Sequence, residues 1–176
     1  MTKLIQNQKV QRRAQRQQIL FNVQKYCKKL DKDRSEQFHS ILAQMLFTTK
    51  CARTDIGTSV SFLTTIVKEL EQDDWLKLAH LMIYIRGTID LLLTLSSNGT
   101  GMLKWFVDGS YGVHPNMRGN SGGGLSRGTG LPILSSIKQK LNTRSSTESH
   151  IVGFNYLIPS ILWARKFLNT QDYDVT

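Results

Sequence analysis

Met102-Leu-Lys-Trp-Phe-Val107 is followed by a glycine-rich run through Gly122-Gly-Gly124 to Arg127-Gly-Thr-Gly130 and Leu131-Pro-Ile-Leu-Ser-Ser-Ile137. Nine of the 13 glycines lie between Gly101 and Gly130, which places the chain's tight turns there. Met102–Val107, Gly122–Ser126 and Leu131–Ile137 read as strands, short apolar or β-prone runs bounded by turn residues. Ile89–Leu95 reads as a further strand before them, with Ser96–Gly101 as the turn between. The outline of this half is a meander of about four strands.

On either side the apolar period becomes helical. Upstream, Phe38, Ile41, Leu42, Met45 and Leu46 recur at helix spacing within Arg34–Thr48. Asp55 is placed to cap a helix on which Ile56, Val60, Leu63, Val67 and Leu70 share a face. Asp73 or Asp74 opens a third helix, with Trp75, Leu78, Leu81, Met82 and Ile85 inward. Downstream, Ser146 or Thr147 caps a helix that Pro159 breaks or restarts, and Ser160–Asn169 continues as a second stretch. These stripes are core faces and contain no cofactor box. The fold class expected is α+β: three helices, about four strands, then a helix pair, with a loose boundary near Gly87–Asp90.

The chain has 176 residues, 23 Lys+Arg and 13 Asp+Glu, a formal net charge of +10. With 40% hydrophobic residues it can bury a core, which excludes collagen-like and fully disordered classes. The charge is uneven. Residues 1–29 hold eight basic residues and no acid, and Gln-rich spacing suits a polar helix or basic arm rather than a transit peptide. Eight acids fall between Asp31 and Asp74, whereas Gly109–Gln171 contains Glu148 alone.

Cys27 and Cys51 read as reduced thiols, no secretory segment precedes them, and no apolar run is long enough to span a membrane. The expected location is cytoplasmic or nuclear. Asn98-Gly99-Thr100 matches a glycosylation sequon but reads as a turn. His39, His80, His114 and His150 lack zinc spacing with the cysteines, and the glycine-rich run lacks a phosphate-loop lysine. No small-molecule substrate is indicated.

The second half resembles the ribonuclease H region of copia-type (Pseudoviridae-like) retrotransposon polyproteins. The residues that carry this are Trp105-Phe-Val-Asp108-Gly-Ser110, Tyr111-Gly-Val-His114-Pro-Asn-Met-Arg118, Ser121-Gly-Gly-Gly124, Ser136-Ile-Lys-Gln-Lys-Leu-Asn-Thr-Arg-Ser-Ser-Thr-Glu148 and Pro159-Ser-Ile-Leu-Trp163-Ala-Arg165. The first half resembles the reverse-transcriptase connection of the same polyproteins, through Phe38-His-Ser-Ile-Leu-Ala43, Lys50-Cys-Ala-Arg53-Thr-Asp55-Ile56, Asp74-Trp75 and Tyr84-Ile-Arg86-Gly-Thr88. The match in order and spacing covers about residues 30–175. It implies a helical connection segment over 30–88 and a truncated ribonuclease H-like domain over 89–176, of four to five mostly antiparallel strands with one or two helices; the basic arm or helix read from composition over 1–29 stands outside it.

What the resemblance implies for activity is incompleteness. The palm's Tyr-x-Asp-Asp element is missing, since Asp73-Asp74 precedes Trp75 at a helix start. Ribonuclease H cleavage needs about four carboxylates around two Mg²⁺ ions. Asp108 stands at the family's first ligand position. The second, a glutamate in Ser-Ser-Thr-Glu-x-Glu, is replaced by His150. Glu148 lies two residues earlier, about 200° away around a helix, and suits the helix N-terminus instead. Asp172 and Asp174 come too early for the third. The expectation is therefore no hydrolysis, Mg²⁺ binding weak or absent with Asp108 as at most a lone ligand, and no cofactor. The partner expected is an RNA–DNA hybrid or other nucleic acid, gripped through Arg118, Arg127, Lys138, Lys140 and Arg144.

Overall fold

A computed structural model describes residues 27–175. The polar helix or basic arm expected over 1–29 lies outside the described residues, save for 27–29. There, Lys29 bridges antiparallel to Glu71, and Leu30 N donates to Leu70 O at 2.9 Å.

The architecture of the described residues is α+β, with three α-helices before the strands and a fourth, the longest, after them. Helix α1 spans Lys32–Cys51. It starts where Asp31 Oδ1 accepts the Arg34 amide at 2.8 Å. Its buried side is Phe38, Leu42, Met45 and Thr49; Leu46, expected inward, is 41% exposed at the margin of the stripe.

A 3-10 turn, Thr54–Ile56, leads into α2, Gly57–Thr64. Asp55 does not cap α2. Its carboxylate is taken by Arg53, whose Nε and Nη2 each donate at 2.9 Å, and by the Tyr84 hydroxyl at 2.9 Å. Arg53 also donates to Thr88 O at 3.1 Å and to its Oγ1 at 2.7 Å. The Thr64 and Thr65 hydroxyls bond back to Ser61 O and Phe62 O where α2 stops. Leu70 still reaches the core, but from outside the helix.

Helix α3, Gln72–Arg86, begins one residue before Asp73 in a reciprocal cap: Glu71 is the N-cap and its amide donates to Asp74 Oδ2 at 3.0 Å. Leu78 and Leu81 are buried, whereas Met82 is exposed. Phe38, Leu42, Ile56, Val60, Leu63 and Leu78 form the centre of one apolar cluster built by these helices. Each such side chain contributes about 1.5–3 kcal/mol by leaving water, so this cluster dominates the stability of the helical half.

Ile89–Leu95 is not a strand. Thr88 is tied to Arg53 at the end of α3, and the following apolar side chains find neither a pairing partner nor a core, with Ile89 76% and Leu92 84% exposed. The first strand is instead β1, Ser96–Ser97, paired antiparallel to β4, Gly128–Thr129. The main sheet comprises β2 (Lys104–Ser110), β3 (Asn120–Ser126) and β5 (Ile133–Lys138), antiparallel in the order β2-β3-β5. Register pairs Asp108 with Gly122 and Gly122 with Ser136.

Helix α4 runs unbroken from Ser146 to Thr170 with Pro159 inside it, so the expected break is absent. One proline removes one backbone bond, and 25 residues packed on a sheet tolerate that loss. Ser145, rather than Ser146 or Thr147, is the N-cap, and its hydroxyl accepts the Glu148 amide at 3.2 Å.

The sheet's two faces are covered differently. Gly123 lies directly under the Leu157 side chain, and a Cβ on Gly109 would meet Ser149 O at 2.5 Å. Helix α4 therefore covers β2 and β3 on one face, and only glycine permits that approach. On the opposite face α2 seats at β5: a Cβ on Gly57 would stand 2.7 Å from the Leu134 side chain, and Ser61 donates to Ser136 O at 2.5 Å. Among the described residues no helix is long and apolar enough to cross a membrane.

Candidate functional site

Asp108 lies near the C-terminal end of β2, and His150 lies on the first turns of α4. Because α4 packs along β2, the fold brings these two together: His150 Nε2 stands 3.0 Å from Asp108 Oδ1. The same Oδ1 accepts the Gly109 amide at 2.9 Å. The other imidazole nitrogen, Nδ1, is 2.7 Å from Ser146 O. A carbonyl and a carboxylate are both acceptors, so both contacts are hydrogen bonds only when each ring nitrogen carries a proton. The pair is open to water, with the side chains 79% (Asp108) and 52% (His150) exposed. An exposed pair of this kind contributes about 0–1 kcal/mol.

Glu148 faces elsewhere. Its Oε2 accepts the Arg144 amide at 2.7 Å, closing the N-terminal turn of α4 in concert with Ser145. Asp172 lies past the far end of α4, about 30 Å along the helix from His150. Among the described residues no group of three His, Cys, Asp or Glu is placed to hold a metal ion. The donors at this point are one carboxylate and one imidazole. Mg²⁺ takes hard oxygen donors in near-octahedral array, so the residues present do not fit the two-ion centre that the resemblance implies.

Beneath the pair lies a buried polar network that connects the sheet to α4. Gln139, fully buried, donates through Nε2 to Ser121 Oγ at 3.0 Å and to Ser149 O at 2.9 Å. Thr143 Oγ1 and Ser149 Oγ are 2.6 Å apart. These groups fix where α4 starts, and therefore where His150 points. The motif stretch Lys138–Glu148 thus contains structural positions, Gln139 and Thr143, as well as surface ones.

The five basic candidates do not form one patch. Arg118 and Lys138 come together at one end of the sheet, where burial and the neighbouring Arg118 charge lower the Lys138 pKa. Lys140 and Arg144 are exposed on the connection into α4. Arg127 is at the opposite end of the sheet, its guanidinium 5.5 Å from the Tyr173 ring centre. Lys104, which the motif reading passes over, is exposed near Arg127, opposite Ser126.

Two further groups carry more structural weight than their spacing suggests. His114, 2% exposed, stacks on Phe62 of α2 with ring centres 5.5 Å apart. Burial, and secondarily the Lys138 charge, lowers its pKa to about 4, against an opposing hydrogen bond with the Asn120 side chain. The Arg53–Asp55 pair, joined by Tyr84 and Thr88, anchors the end of α3. Asp55 titrates below its ordinary range because Arg53 donates to it. A buried polar partner is visible in sequence only when its contact is local, and Thr88 and Phe62 are distant from the residues they hold. No protein-family model matches the chain, and no solved structure matches it.

Proposed function

We propose that the chain is a catalytically incomplete piece of a copia-type retrotransposon reverse transcriptase and ribonuclease H polyprotein, and that it holds nucleic acid without cutting it. The observation that carries this reading is the Asp108–His150 contact. The position where the resemblance asks for a second carboxylate supplies a proton donor, which satisfies Asp108 with a hydrogen bond at 3.0 Å. Glu148, the nearest acid in sequence, is engaged with the Arg144 amide.

Support for nucleic acid as the partner is electrostatic. Between residues 91 and 171 there are eight basic side chains and two acidic ones, Asp108 and Glu148. Phosphate-directed contacts of this kind weaken steeply as salt rises, because bound counterions are released. Such a protein works in the cytoplasm or nucleus. The test pairs two assays on an RNA–DNA hybrid. Binding is expected to fall sharply between low and moderate salt, with the hybrid left intact in Mg²⁺. Metal-dependent turnover abolished by Asp108→Asn would overturn the inactive reading, and salt-independent or absent binding would overturn the partner.

A further inference from the structure

The face of the sheet opposite α4 is only half covered. Gly109 and Gly123 point into α4, so alternation along the strands aims Lys104 and Phe106 the other way, in the rows that contain Gly122, Gly124, Leu134, Ser136 and Lys138. Helix α2 covers the β5 side of this face, at Leu134 and Ser136. The β2 side is left open. Phe106 is 58% exposed there. A Cβ on Gly122 would meet nothing nearer than Asp108 O at 4.0 Å. Gly124, opposite the ring, is covered by the Leu131 side chain, so the open backbone is the single position Gly122, diagonal to Phe106 and paired with Asp108.

Charge at both ends of this surface has one sign. Lys104 is exposed at one end, and Lys138 with Arg118 stands at the other, about 20 Å away along the strands. Asp108 between them is paired with His150.

We propose that this open face binds single-stranded RNA or DNA, with a base stacked on Phe106, the strand lying close over Gly122, and phosphates directed to Lys104 and to Lys138 with Arg118. The inference rests on the nucleic-acid reading above and adds to it a strand type and a place. Stacking on an exposed aromatic is indifferent to sequence, because every base has a π-face. A glycine in mid-strand lets a ligand approach the backbone closely. A duplex cannot use Phe106 in this way, since its bases are already stacked on one another.

The experiment is fluorescence anisotropy with the full chain at low salt, using 12-nucleotide oligouridine, oligothymidine and an abasic strand of equal length. Phe106→Ala removes the ring and Phe106→Trp keeps a stacking surface. Gly122→Val adds bulk where a Cβ would have no neighbour nearer than 4.0 Å, and valine suits a strand. Phe106→Ala and Gly122→Val are expected to weaken binding of the base-bearing strands roughly fivefold to a hundredfold. Phe106→Trp should retain wild-type binding, and binding of the abasic strand should be the same in wild type, Phe106→Ala and Phe106→Trp. Base-bearing strands bound equally by wild type, Phe106→Ala and Gly122→Val would overturn the stacking face while leaving the polyanion reading standing. Failure of the wild type to bind any of the strands would overturn both. Because Gly122→Val blocks the face by occupancy, the inference stays testable if Phe106→Ala does not fold.

Discussion

Replacing His114 by phenylalanine removes one buried proton site while keeping a flat ring against Phe62. The wild-type imidazole has a pKa of about 4 in the fold against 6.5 as a free side chain, chiefly because it is buried. Its folded value is depressed, so the folded chain binds that proton less readily than the unfolded one. The neutral ring's contribution is complete above pH 6.5 and is lost as pH falls toward 4. Linkage over this interval costs about 2.5 kcal/mol between pH 7.5 and 4.5. Lys138, the cation beside the ring, disfavours the imidazolium and so does not offset the loss. Urea unfolding at both pH values measures it. With a slope of about 2 kcal/mol per molar, the wild-type midpoint should drop about 1 M further than that of His114→Phe. Comparing the two drops removes any constant offset from the lost Asn120 contact. Parallel drops in the two proteins would refute the reasoning and would mean that the ring is already hydrated or charged in the fold.

Substitutions at three other positions have defined outcomes. Arg53→Ala leaves Asp55 without its main partner and frees Thr88, and should cost about 3 kcal/mol in urea unfolding; Arg53→Lys should rescue little, because an ammonium cannot supply the two-pronged contact. Pro159→Ala restores a helix bond inside α4 and should raise stability by up to about 3 kcal/mol, read as a higher Tm. Ser145→Ala removes the N-cap acceptor of α4 and should cost about 1 kcal/mol.

How much of this was visible beforehand follows from the range of each interaction. The stripe Phe38–Leu42–Met45 is local and period-specific, so α1 was legible to within a few residues. Asp55 was misread because the cap reading is local, whereas its actual partners include Tyr84, 29 residues away. Ile89–Leu95 has strand composition, but a strand needs a neighbour, and composition does not say whether one is present. Pro159 was overvalued as a breaker, since packing of Leu157 over Gly123 and of Ala164 holds α4 through it. At the candidate site, Asp108 and His150 are far apart in sequence, and their contact follows from α4 lying on β2. The basic residues were grouped by sequence proximity, yet the meander sends Arg127 and Lys138 to opposite ends of the sheet. Lys104 and the open surface beside Phe106 are not legible in sequence, because which strand face is covered depends on where α2 and α4 settle.

One experiment addresses whether the protein holds nucleic acid without cutting it. The full chain is mixed with an end-labelled RNA–DNA hybrid and with the matching single strands, in Mg²⁺ and at two salt concentrations, and both mobility and strand length are read from the same samples. Retarded, full-length strands at low salt, released at moderate salt, are the predicted result. Shortened RNA in the wild-type sample but not with Asp108→Asn, or strands that are never retarded, would contradict it.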